Sequence, residues 1–100
     1  MLKAAFLFLA PEADVKQHRA VVATPMVELT VVGVSNYQAA CEAVKELAAQ
    51  GIGAVELCGG FGLEGAAAIK RAAPGLAVGV VRFDGHPGLG GKSGDELFGG

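Results

Sequence analysis

Apolar positions along the chain fall into four strand-like runs separated by polar or glycine-rich stretches. The first, 2–9 (LKAAFLFL), is apolar on both sides of a period-two alternation, which predicts a strand buried on both faces. The second, 26–34 (MVELTVVGV), is rich in β-branched residues that favour a strand. The third and fourth are 52–58 (IGAVELC) and 76–84 (LAVGVVRFD). Between the second and third runs the period changes to 3.6. Tyr37, Ala40, Cys41, Val44, Leu47 and Ala48 then share one face of a helix. Ser35, with Gln38 three residues later, predicts a capping box at its start. Gly51 predicts a left-handed cap at its end. A second helix is predicted over 63–73. Glu64 sits in its first turn and Lys70 and Arg71 in its last, as the helix dipole favours; Pro74 and Gly75 end it.

Two segments are less regular. In 11–25 (PEADVKQHRAVVATP), Pro11 can open a short helix with Val15 and Val22 on one face. Alternatively, 19–24 forms one strand of a hairpin turned at Pro25. The stretch 85–100 (GHPGLGGKSGDELFGG) lacks a long apolar period and predicts a Gly-rich arm anchored by Leu97 and Phe98. The alternation of strands and helices predicts an α/β domain over 1–84, with a mainly parallel four-stranded sheet and two main helices. A ferredoxin-like α+β fold is the alternative. If the last three strands are neighbours in chain order, right-handed crossovers put both helices on one face. The other face then needs the crossover segment, the arm or another subunit to cover it.

Composition sharpens that last point. The chain has 100 residues, of which 52% are hydrophobic, and its mean hydropathy is +0.47. That exceeds the needs of one small core, so exposed apolar surface and a homo-oligomer are expected. Net charge is −2, and the 8 basic residues form no stripe, which argues against nucleic acid as a partner. The start, MLKAAFLFLA, has the look of a short signal peptide, but Glu12 and Asp14 follow at once and a buried first strand fits better. No run reaches the ~20 apolar residues of a membrane helix. The 2 cysteines build no disulfide framework. A cytoplasmic protein without membrane association is the expectation.

The candidate chemistry gathers around ELCGGFGLEG, 56–65. Ligands of open α/β sheets collect at the carboxyl ends of strands. Here Gly59, Gly60, Phe61 and Gly62 form such an end and open a helix with no Ser, Thr, Asp or Asn to cap it. The first-turn amides are therefore expected to be available to an anion. The stretch is neither a phosphate loop nor a full dinucleotide fingerprint. Arg82, Asp84 and His86, at the end of the fourth strand, are expected to complete the ligand site. Alternation further predicts that Glu28, Glu56 and Arg82 meet on one sheet face as an acid–base–acid cluster, either structural or holding a general base. Cys58 precedes a helix N-terminus, which favours a thiolate, and His86 is its expected neighbour. Cys58, Glu56 and His86 are thus the candidate catalytic residues, and Cys41 is structural. His18, His86 and Cys58 lack metal-ligand spacing, so neither a metal nor a cofactor is expected.

The stretches VELTVVGV, ELCGGFG and VRFDGHPGLGGKSGDE together resemble a family of uncharacterised microbial proteins of about this length. The resemblance covers essentially the whole chain and implies no activity, cofactor or catalytic residue. The sequence expectation is thus a protein, or small enzyme, that binds a small anionic ligand at its strand ends beneath the arm. The alternative is a structural or interaction module that assembles as a homo-oligomer without a catalytic site.

Overall fold

A computed structural model describes residues 1–83 and 85–99. Five strands form one sheet: β1 (Leu2–Leu9), β2 (Arg19–Ala23), β3 (Val27–Val34), β4 (Ala54–Leu57) and β5 (Ala77–Val80), in the order β2-β3-β1-β4-β5. The ladders β3–β1, β1–β4 and β4–β5 are parallel, and β2 is antiparallel to β3. The mostly parallel ladder makes the domain α/β rather than ferredoxin-like. The strand beyond the expected four is the hairpin alternative for 19–24. No short helix forms after Pro11. The most apolar run, β1, takes the central place, where Ala5 and Leu7 are fully buried.

Two main helices, α1 (Tyr37–Ala49) and α2 (Leu63–Ala72), pack on one face of the sheet. The core lies between them and Ala5, Leu7, Val32, Val34, Val55 and Leu57. From α1 come Tyr37, Ala40, Val44 and Leu47, and from α2 Ile69. The cap of α1 is one residue later than expected: the Asn36 side chain, not Ser35, accepts from the Ala39 amide at 2.8 Å. Gly51 follows α1 with φ +96°, the left-handed geometry that glycine adopts without steric penalty.

The register puts Leu2, Ala4, Phe6 and Phe8 of β1, Val27, Leu29 and Val31 of β3, and Ala54 and Glu56 of β4 on the face opposite the helices. Among the described residues, no helix covers this face. The crossover segment reaches one corner, where the Phe8 ring packs over Gly33 beside His18. Phe6, Leu29 and Val31 stay partly exposed. Among the described residues, no helix is long and apolar enough to cross a membrane.

The tail forms a single 3-10 turn, Pro87–Leu89, and a short helix, α3 (Gly94–Phe98). Ser93 and Glu96 make a capping box at the start of α3. Phe98 reaches the core, with its ring 6.4 Å from Tyr37, whereas Leu97 is 47% exposed.

Candidate functional site

The bend at 58–62 lies where β4 ends. The Leu9 and Gly60 amides each donate to Cys58 Sγ at 3.3 Å, which ties the end of β1 to the bend. The Phe61 ring turns inward and stacks on Tyr37, with centroids 5.6 Å apart and planes within 9°. Gly62 is the N-cap of α2 and has no side chain to satisfy the first turn.

That first turn is satisfied from elsewhere in the chain. Asp95, in α3, accepts from the Glu64 amide through Oδ2 and from the Gly65 amide through Oδ1, each at 3.1 Å. The same Oδ1 accepts the Tyr37 hydroxyl at 2.8 Å. That hydroxyl in turn accepts from the Gly62 amide at 2.9 Å. One carboxylate, delivered from 30 residues away, thus does what a local Ser or Asp cap normally does. The glycines around it follow from the fit. A Cβ on Gly62 would lie 2.3 Å from the Asp95 carboxyl carbon. One on Gly94 would lie 1.6 Å from the Gly60 carbonyl oxygen.

The electrostatics match. Partial burial raises the Asp95 carboxyl, but the Glu64 amide, the Tyr37 hydroxyl, the Gly65 amide and the field of Arg82 outweigh it and hold Asp95 below its ordinary value. Burial pushes the Tyr37 hydroxyl up to about 12, reinforced by the carboxylate it serves and opposed by the Gly62 amide. Tyr37 therefore stays protonated as a donor to Asp95.

The first-turn amides expected to be available to an anion are instead taken by the protein's own Asp95 carboxylate. Arg82 lies just beyond β5, within electrostatic range of Asp95, and its guanidinium donates to the Phe83 carbonyl. The Phe83 ring and the His86 imidazole both lie over the Gly59 α-carbon. His86 Nδ1 accepts from the Gly88 amide at 2.9 Å, so that nitrogen caps the 3-10 turn. Asp84 lies outside the described residues.

The cluster of Glu28, Glu56 and Arg82 does not form. Glu28 pairs in register with Lys3 and lies on the helix-bearing face, whereas Glu56 pairs with Phe6 on the open face. Alternation shows which residues of a strand share a face, but not which face of the sheet each strand presents. Cys41 borders the core, and burial raises its thiol, with Lys45 and Arg71 opposing and Glu42 adding to the effect.

Sequence reasoning missed Asp95 and the Tyr37 hydroxyl. The signal available was a conjunction: an uncapped helix start, glycines at both 62 and 94, and an acidic SGDE turn that had no assigned partner. A cleft of about 460 Å3 runs between α1 and α2 beside this latch, with Tyr37, Cys41, Glu64 and Arg71 among its walls.

No curated protein and no solved structure matches the chain significantly. A family model does match, over residues 2–96. The chain belongs to the family of unknown function DUF6506.

Proposed function

We propose that the protein binds a small anionic ligand, a carboxylate or phosphate, at the N-terminus of α2 in competition with Asp95. The supporting observation is that this place already holds a carboxylate, bound by two backbone amides and the Tyr37 hydroxyl. A ligand group offering the same oxygens satisfies the same donors. Release of α3 vacates them, and the glycines at 85, 88, 90 and 91 give the tail the freedom to swing. The neighbouring cleft gives the remainder of the ligand room beside Arg71. Binding, rather than a reaction, is the core of this proposal. Cys58 Sγ accepts from the Leu9 and Gly60 amides, and His86 Nδ1 is engaged by Gly88.

The deciding experiment titrates inorganic phosphate and acetate into wild-type protein and into Asp95→Ala, following the 63–65 amides by NMR. Competition predicts binding at least tenfold tighter in Asp95→Ala, and weaker again when Arg82→Ala is added. If the 63–65 amides of Asp95→Ala respond to neither anion, the latch is purely structural and the ligand proposal fails.

A second proposal, a module that assembles as a homo-oligomer, is favoured by the open face of the sheet. Phe6, Leu29 and Val31 are only partly covered there, and Leu2 is 52% exposed. Apolar surface of this kind is commonly buried by a partner.

A further inference from the structure

The outer edge of β2 is the least protected part of the sheet. All five of its residues are exposed. Val21 and Val22 point to opposite faces, yet are 56% and 59% exposed. Natural edge strands usually carry a central lysine, a proline or a bulge that blocks pairing with another chain. The sequence RAVVA has none of these; its one charge, Arg19, is at the end.

Hydrogen-bond parity defines what this edge offers. The His18 carbonyl accepts from Gly33, and the Thr24 amide donates to Val27. Those pairs belong to the same antiparallel register as Arg19↔Val32 and Ala23↔Glu28. Even-numbered residues of β2 therefore bond to β3. The amides and carbonyls of Arg19, Val21 and Ala23 point outward.

We infer that two copies of the chain pair antiparallel through β2, about a two-fold axis at Val21, to make one continuous sheet. This rests on the assembly proposal and specifies its partner and contact. With Val21 opposite Val21 of the second copy, Arg19 falls opposite Ala23. These are the residues whose backbone groups point outward, so the ladder closes without a slip.

Charge also fits this register. Arg19 shares the helix-bearing face with Val32, and Ala23 shares it with Glu28. Across the two-fold, Arg19 of one copy, Ala23 of the other and Glu28 behind it form a single cross-strand row. The arginine backbone is two strand spacings, about 10 Å, from the glutamate backbone. Only a methyl group lies between them, and the arginine stem lies over it. A parallel pairing, or a shift of two residues, loses this match.

The test is solution mass by light scattering for the full chain and three variants. Wild type should be a dimer. Val21→Pro removes an outward amide without touching the β3 ladder and should give a monomer with unchanged circular dichroism. Arg19→Glu should weaken the dimer at least tenfold through repulsion by Glu28. Combining it with Glu28→Arg should restore the dimer, a rescue that a folding defect cannot mimic. A wild-type monomer overturns both this pairing and the assembly proposal. A dimer that survives Val21→Pro, or a charge swap without rescue, overturns the β2 pairing alone and leaves assembly through the open sheet face standing.

Discussion

The two main helices begin at equivalent places, where a parallel strand leaves the sheet, yet they are capped in opposite ways. At α1, Asn36 directly precedes the helix and its own side chain accepts from Ala39. At α2, Gly62 provides no side chain, and Asp95 of the tail accepts from Glu64 and Gly65. A local cap is complete once the helix forms. A remote cap is complete only when the tail is docked. The start of α2 is therefore coupled to the position of residues 94–98 in a way the start of α1 is not. Whatever displaces the tail also exposes helix amides and a protonated tyrosine.

The change expected to break this contrast most is Gly94→Ala. Its new Cβ would sit 1.6 Å from the Gly60 carbonyl oxygen, a backbone atom with no rotamer to move away. Overpacking of this kind costs about 3 kcal/mol. The tail should leave its seat, which denaturant unfolding reads as a lowered midpoint and limited proteolysis reads as early cleavage near Leu97 and Phe98. A variant as stable and protease-resistant as wild type would mean that α3 does not dock against the bend.

Asp95→Ala should cost less, about 2 kcal/mol, the upper end for a lost cap because the lost acceptor is charged. The sign of its pH dependence follows from the lowered carboxyl of Asp95. A group depressed in the folded state stabilises above its unfolded value, 3.8. That stability is lost as pH falls through the folded value. The gap between wild type and Asp95→Ala should therefore be flat near neutrality and close in acid below pH 3.8. A gap that widens on acidification would mean that the latch is not ionic.

The same contrast explains which parts were legible from sequence. The cores of α1 and β1 could be read because their periodicity reports burial directly, as at Val44, Leu47 and Leu7. The N-terminus of α1 was read to within one residue, since the competing acceptors Ser35 and Asn36 are adjacent. β2 appeared only as an alternative, because a strand exposed on both faces has no apolar side to alternate. Glu28 and Glu56 were wrongly brought together because β1 inserts between their strands and the register turns them to opposite faces. Asp95 was missed because no local pattern links it to Gly65. That contact exists only after the tail folds back, which brings Asp95 to the Glu64 and Gly65 amides.

The smallest effect is expected at the local cap, and it sharpens the comparison most cleanly. Asn36→Ala removes one acceptor, for the Ala39 amide, at an exposed position. Water can replace it, so the cost should be about 1 kcal/mol. Asparagine carries no titratable charge, so this loss should not vary with pH in the acid range where that of Asp95→Ala disappears. Nor should it alter the proteolysis of the tail, because α3 takes no hydrogen bond from Asn36 among the described residues. Thermal unfolding of both variants between pH 3 and 7 provides the measurement. Parallel curves for wild type and Asn36→Ala, beside converging curves for wild type and Asp95→Ala, would establish that one helix is capped by its own sequence and the other by a charge on loan from the tail. If the Asn36→Ala curve also converges in acid, the two helix starts are coupled through Tyr37, which opens α1 and donates to Asp95, and the remote latch stabilises both.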